Sequence, residues 1–401
     1  MLFRSYFYPD LAKNYQISQY DLPLCHGDWL DIEVDGAARR IGITRAHMEE
    51  DTARNTHTIA GGQSGVDFNR CGLPLLEIVT EPDLRGAREA HAYLTELKQI
   101  LQYLRVSDCN MEEGSLRAEA NISVRPVGQE AFGVKTEVKN VASFSGVQKA
   151  IDFEIARQIA VLEAGGTVVQ ETRGWDADRG VTFSQRLKES AHDYRYFPEP
   201  DLVPVAVDQA WEDRIRGTLP ELPAARRARL AAQHGLSAYD AGVLTQSRDT
   251  ADYYEAAVAA GADPKKAANW ITVELQALLS ESKQEIAECA AGPAALAGML
   301  GMIESGAISG KMAKEILAEM FATGKSAEDI VRERGLSQIS DAGALLDAVR
   351  RVLAENPAQV EQFRAGKEKV LGFLVGQVMR ATGGKANPQM LNDVLREELS
   401  R

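Results

Sequence analysis

Between Leu116 and Arg125 the chain alternates residue by residue. Leu116, Ala118, Ala120, Ile122 and Val124 fall on one side, and Arg117, Glu119, Asn121, Ser123 and Arg125 on the other. After a connection containing Pro126, Gly128 and Gly133 the alternation resumes, with Val134, Thr136 and Val138 set against Lys135, Glu137 and Lys139. Two such strands side by side present Arg, Lys and Glu on one sheet face. An antiparallel sheet with one solvated face gives the same pattern. Asn121 and Ser123 are poor strand formers, however, and their mid-strand position points to a site. Two other acidic features suit cation chemistry. The phrase His47-Met48-Glu49-Glu50-Asp51 ends a strand in three consecutive carboxylates, which read as solvated charge or, beside a polar sheet face, as a seat for a divalent cation. Glu77 is the one acid within Leu73-Pro74-Leu75-Leu76-Glu77-Ile78-Val79, which reads as a short buried strand. A carboxylate among apolar neighbours is costly unless paired, protonated or metal-bound.

The elements that must position these residues can be read outward from them. Leu30, Ile32 and Val34, then Asp35-Gly36, then Ile41 and Ile43, predict a hairpin, because Asp-Gly readily takes the positive φ angles of a tight turn. Gly61, Gly62 and Gly65 mark a loop, and no GxxxxGK[ST] phosphate loop occurs in the chain. A helix is expected over roughly 87–104, capped by Asp83 and carrying Ala90, Leu94, Leu97 and Leu101 inward. A second is expected to start at a Ser143 cap, to bury Val147, Ile151, Ile155, Ile159 and Leu162, and to stop at Gly165-Gly166. Helices over several antiparallel strands make an α+β layer. Two polar clusters follow, Gln170-Glu171-Thr172-Arg173 and Ala191-His192-Asp193-Tyr194-Arg195-Tyr196-Phe197-Pro198. His192 and Asp193 would point opposite ways on a strand, which favours separate roles over an acid-base dyad.

Beyond Leu219-Pro220-Glu221-Leu222-Pro223 the sequence becomes rich in Ala, Leu, Arg and Glu at helical spacing. Three regions are expected: 1–218, an all-α region 219–334, and a small helical tail 335–401. The tail carries Arg364, Lys367, Lys369, Arg380 and Lys385, which suit either an RNA contact or a solvated helix face.

The 401 residues are 45% hydrophobic, enough for substantial cores, and the formal net charge of -13 excludes indiscriminate binding to nucleic acid or anionic membrane. The four cysteines form no CxxC pair and read as ordinary buried thiols of a reducing compartment; Cys25-His26 lacks the spaced partners of a nucleophile or metal site. No apolar run approaches the ~20 residues of a membrane span, so a cytoplasmic location is expected. The opening MLFRS followed by YFYPDLAKNYQISQYDLPL, with aromatics crowding the start, suggests an N-terminal truncation.

Several long phrases in order, YFYPDLAKNYQISQYDLPL, IGITRAHMEED, CGLPLLEIVTEPDLR, NMEEGSLRAEANISVRP, TEVKN, QETRGWD and AHDYRYFPEPDL, resemble the GatB family, the B subunits of the tRNA-dependent amidotransferases. GKMAKEIL and GKEKVLGFLVGQVMRATGGKANPQ are similar to its helical and YqeY-like tail regions, so the resemblance spans essentially the whole chain. It implies an antiparallel-sheet cradle of glutamine-synthetase-like fold followed by helical domains. It also implies a ligase that uses ATP and Mg²⁺ to phosphorylate the side-chain carboxylate of Glu or Asp on a mischarged aminoacyl-tRNA. Ammonia released from glutamine by the family's A subunit, an amidase, would then displace the phosphate, and a C subunit would complete a heterotrimer.

Carried over residue by residue, the resemblance implies that Glu50 and Glu77 are metal ligands. Glu119 and Glu137 fall at acidic positions of the site, and Arg117, Arg125 and Lys139 are candidates for stabilising phosphate charge. The family's opening GLEVH phrase is absent, Glu119 stands where Asp is usual, and Asp51-Thr52-Ala53-Arg54 replaces DAGK. These departures keep open a second reading, a catalytically inert tRNA-binding scaffold. A free-standing carboxylate kinase would have no use for the long helical tail.

Overall fold

The computed structural model describes residues 2–5, 10–59, 63–187, 196–336, 342–382, 386 and 388–400. His192 and Asp193, Gly61, Gly62 and Lys385 lie outside the described residues. Contacts divide the chain into a first unit, Met1–Pro220, and a second, Glu221–Arg401.

The first unit is built on β1 (Leu2–Ser5), β2 (Tyr15–Ser18), β3 (Cys25–Val34), β4 (Ala37–Glu50), β5 (Arg54–Ile59), β6 (Gln63–Asp67) and β7 (Pro74–Thr80). Next come helix α1 (Ala87–Tyr103), β8 (Ala120–Ile122), β9 (Thr136–Lys139), α2 (Phe144–Glu163), β10 (Glu171–Asp176), β11 (Val181–Leu187) and β12 (Phe197–Pro198). One six-stranded sheet runs β12-β1-β2-β4-β3, with β7 also on β4, and all of its pairings are antiparallel. A second sheet runs β11-β10-β9-β8 and includes one parallel pair, β9 with β10; β5 and β6 form a separate ribbon. The architecture is α+β.

The hairpin joining β3 to β4 turns at Asp35 (φ 54°) and Gly36 (φ 75°), the two positive angles that a primed two-residue turn requires. Helix α1 begins at Ala87 without a side-chain cap. Asp83, the expected cap, instead accepts the Gly42 amide of β4 at 2.9 Å, because the helix starts beyond its reach and the strand offers an open donor. Ser143 does cap α2, accepting the Gly146 amide at 3.0 Å. The helices form the back of the unit. Tyr93 of α1 packs on Ile32 and Ile41 of the first sheet, while Ala87 and Ala90 join Val147, Ala150 and Ile151 of α2 over Ile122 and Val138 of the second. One helix thus ties both sheets from behind and leaves their polar faces forward.

Three expectations are corrected. The Leu116–Arg125 segment keeps its alternating exposure from Leu116 to Ile122 and loses it at Ser123 and Val124, and only Ala120–Ile122 pairs as a strand, because Thr136–Lys139 opposite it is short. The 73–79 stretch is not buried: β7 pairs only with β4, and its residues are half-buried or exposed. Cys25 is exposed, and of the four thiols only that of Cys109 is buried.

Helix α2 departs from its apolar stripe as well. Ile159 and Leu162 are exposed, and Glu154 and Gln158 take their place as fully buried residues. Glu154 accepts hydrogen bonds from Arg157 Nε (2.9 Å), Gln158 Nε2 (3.0 Å) and Thr182 Oγ1 (3.0 Å), and Arg173 Nε lies 3.6 Å away. A buried carboxylate survives when its lone pairs are filled and its charge is matched.

The second unit is helical, from Pro223–His234 to Pro388–Ser400. One core gathers Leu230, Tyr254, Ile271, Leu275, Leu300, Ile316 and Met320, and a second gathers Leu345, Val349, Leu374, Val378, Leu391 and Leu395. No helix of the described residues is long and apolar enough to cross a membrane.

Burial pushes the Glu154 carboxyl up, but the hydrogen bonds from Arg157, Gln158 and Thr182 and the Arg157 charge outweigh it, leaving the pKa below the ordinary 4.5. A depressed carboxylate contributes stability that is present above its unfolded value and lost as pH falls through the folded one. Stability of the first unit should therefore decline below about pH 4.5. Glu154→Gln should lose about 3 kcal/mol at neutral pH, since it takes the carboxylate from Arg157, whose Nε and Nη2 both reach it, and should flatten that acid limb. Hydrogen exchange of the β10 and β11 amides measures both; an unchanged acid limb in the variant would refute the assignment.

Candidate active site

Strand β4 sends Arg45, His47 and Glu49 to one face by simple alternation. His47 is fully buried and Glu49 nearly so. The antiparallel register with β7 sets Glu77 directly opposite His47, and cross-strand partners share a face. One ligand atom each from His47, Glu49 and Glu77 lies within 4.8 Å of the others. His47 Nε2 is 3.3 Å from Glu49 Oε1 and 3.9 Å from Glu77 Oε2. From β2, Ser18 Oγ (3.0 Å) and Gln16 Nε2 (3.3 Å) donate to Glu49 and hold its orientation.

The electrostatics of this trio are those of a site short of positive charge. The pKa of the Glu77 carboxyl is raised by partial burial and then by the Glu49 charge, against the pull of His47 and Arg45, and Glu119 adds to the rise. With 46% of the Glu77 side chain still exposed, burial of this carboxyl is incomplete and the like charge of Glu49 crowds it as well. His47 Nδ1 is buried and has no hydrogen-bond partner among the described residues. Two carboxylates beside one imidazole nitrogen fit a divalent cation, whose charge would relieve the repulsion.

The second sheet supplies the facing wall. Glu119 reaches the same field, since it acts on Glu77. Lys139 Nζ lies 2.7 Å from Glu119 and 3.9 Å from Glu137, and Glu137 accepts Thr172 Oγ1 at 3.0 Å from β10. Glu119, Glu137 and Lys139 are thus brought together. Arg117 is on the same segment, its Nη2 2.7 and 2.8 Å from the two oxygens of Asp51. Arg125 is elsewhere, stacked 4.8 Å from the centre of the Phe132 ring and donating to the Glu130 carbonyl in an exposed turn.

Glu50 falls on the other face of β4 from Glu49. It pairs with Lys13 Nζ at 2.6 Å and accepts the Ile17 amide at 3.0 Å. The residues grouped with Glu77 are therefore His47 and Glu49, while Glu50, the metal ligand that the resemblance implies, lies on the other face. Period two along β4 was the available signal: His47, Glu49 and Asp51 share a face, and Glu50 does not.

The sequence profile described as the GatB/GatE catalytic domain matches residues 3–213, and one described as the GatB domain matches 252–399. Among similar proteins is the B subunit of an aspartyl/glutamyl-tRNA(Asn/Gln) amidotransferase from Moorella thermoacetica. It is 59% identical over 398 residues, covering 99% of this chain and 84% of the relative. Proteins of the same name from Carboxydothermus hydrogenoformans and Solidesulfovibrio magneticus are 55% and 56% identical, each over 99% of this chain and 83% of the relative.

A carboxyl whose folded pKa is raised makes the fold less stable as pH climbs through the interval above 4.5. Glu77→Gln should accordingly raise the unfolding temperature of the metal-free protein by a few degrees at neutral pH. Millimolar Mg²⁺ should stabilise the natural protein and leave the variant unmoved. Calorimetry with and without Mg²⁺ decides it, and a natural protein indifferent to the ion would remove the cation site.

Proposed function

The chain belongs to the GatB/GatE family, and from that premise we propose how its first unit serves the reaction. The activity is that of a tRNA-dependent amidotransferase, a ligase that converts Glu on tRNA(Gln) or Asp on tRNA(Asn) to the amide with glutamine as amido donor. The chain is one member of a larger complex. In our reading its partners in the cytoplasm are an amidase, which releases ammonia, and a small third subunit, with aminoacyl-tRNA as substrate.

A carboxylate is a poor electrophile. ATP converts it to an acyl phosphate by transfer of the terminal phosphoryl group to a side-chain oxygen, releasing ADP; ammonia then attacks the carbonyl carbon and inorganic phosphate leaves. His47, Glu49 and Glu77 would hold Mg²⁺, which when bound supplies positive charge to the phosphate oxygens. Lys139, held between Glu119 and Glu137, would meet charge developing on the transferred group. Glu50, paired with Lys13 on the other face of β4, and Arg125 in its exposed turn take no direct part in this scheme.

The tail region offers Arg364, Lys367, Lys369 and Arg380 as exposed or half-buried cations, and we assign 335–401, with 219–334, to holding the tRNA. The observation that carries the reading is the grouping of His47, Glu49 and Glu77, with Glu119 close enough for its charge to act on Glu77 and Lys139 paired to Glu119.

The complex of this chain with the amidase and the third subunit, given Glu-tRNA(Gln), ATP, Mg²⁺ and ammonium, should form Gln-tRNA(Gln). Glu49→Gln and Glu77→Gln should each lower the rate about 100-fold or more while tRNA binding persists. An intact complex that yields no product would sink the catalytic reading and leave the tRNA-binding scaffold as the better account.

A further inference from the structure

Asp51 enters none of the roles above, yet its carboxylate is among the most enclosed in the first unit, with 2% of the side chain exposed. Its amide bonds to the Leu73 carbonyl at 2.8 Å, and the Gly72 amide returns to its own carbonyl at 2.9 Å. These bonds continue the β4–β7 register past Glu50, so Asp51 lies on the face of His47 and Glu49. Two guanidinium groups converge on it. Arg117 binds both oxygens through Nη2 alone, at 2.7 and 2.8 Å, and Arg70 donates Nε at 3.1 Å.

That geometry uses few of the available donors. A guanidinium carries five N–H bonds in a fixed fork. Arg117, half exposed, makes no contact through Nε or Nη1 among the described residues. Arg70, 36% exposed, adds only a long bond from Nη1 to the Glu113 carbonyl at 3.4 Å. The Asp108 carboxylate also feels the Arg70 charge, so the cations are close to balanced, and the Asp51 carboxylate limits where each fork can point. A fixed, half-solvated pair of forks is the arrangement that binds phosphate oxygens.

We propose that Asp51 is a positioning residue: it fixes Arg117 and Arg70 so that their remaining N–H groups form a phosphate cradle beside the carboxylate cluster on β4. The inference rests on the amidotransferase reading for its substrates, ATP and tRNA, both of which carry phosphate. Asp51 itself touches neither.

The test uses the assembled complex and measures equilibrium binding of ATP and, separately, of uncharged tRNA, together with amidation kinetics. Asp51→Asn keeps the shape and removes the charge. Arg117→Gln, at a half-exposed position, is the second variant should the first not assemble. Each should weaken ATP binding about 10-fold or more and raise the KM for ATP more than it lowers kcat, with tRNA affinity within about twofold. Weakened tRNA binding with unchanged ATP binding would support the cradle and assign it to the tRNA backbone. Asp51→Glu, which keeps the charge but displaces the forks, should recover only part of the affinity.

A purely structural ion pair would lower thermal stability and leave both affinities and the KM unchanged, and that result overturns the proposal. An active natural complex with unaffected variants refutes the cradle alone. An inactive natural complex refutes the amidotransferase reading, while the binding measurements still decide the cradle.

Discussion

The polar surface exists because the carboxylate of Asp51, at the end of a strand in one sheet, is paired with Arg117, on the segment leading into the other. Helix α1 joins the two sheets through apolar contacts behind, but such contacts are non-directional and tolerate sliding. The two short bonds from Arg117 are directional, and the carboxylate they meet is removed from water. Removing Arg117 would leave the buried carboxylate to Arg70 alone, which holds it by a single 3.1 Å bond. The register of Arg117 against β4 is fixed accordingly, and Glu119, two residues on, is delivered to the neighbourhood of Glu77. A single non-local ion pair thereby sets which acids face one another.

That placement is costly. Glu49, Glu77 and Glu119 share a field in which Glu77 is held less acidic than a free carboxyl, and the buried imidazole between two of them has an orphaned nitrogen. Elsewhere in the same unit the chain solves the problem fully: Glu154 is entirely buried, with Arg157, Gln158 and Thr182 filling its lone pairs, and its pKa falls. The contrast lies in which surface is left unsatisfied. Local violations of polar satisfaction persist where a ligand completes them, which is why the first cluster reads as a site and the second as scaffold.

Local chemistry was legible in the sequence where it is complete within a few residues. The Asp35-Gly36 turn and the Ser143 cap need only their own backbone, and both appear as their residue types require. Asp83 failed as a cap because a strand amide 41 positions away competed for it, and nothing near Asp83 announces Gly42. Glu154 and Gln158 interrupt an apolar stripe for partners on β10 and β11, again at long range. At the site the alternation along 116–122 sorts polar from apolar residues even where no strand hydrogen bonds form, but it breaks at Ser123 and Val124, and Arg125 turns away from the site. Glu49 and Glu50 are adjacent in the same acidic phrase, and strand parity, which sends neighbours to opposite faces, separates them.

The chain carries a net charge of -13 and yet handles polyanions. Long-range attraction cannot supply the affinity, since beyond a Debye length of about 8 Å at physiological salt the excess acid is screened rather than reversed. What remains is arrangement at contact distance. The first unit holds its site cations in pairs with acids already in place, Lys139 with Glu119 and Glu137, and Arg70 and Arg117 with Asp51. Such pairs keep long side chains ordered before any ligand arrives, so less side-chain entropy is lost on binding. They also leave the local charge near neutrality, and a divalent cation held by His47, Glu49 and Glu77 would shift that balance. In our reading such an ion would tip the face toward phosphate, so that the acidity of the surroundings would make the attraction depend on the metal.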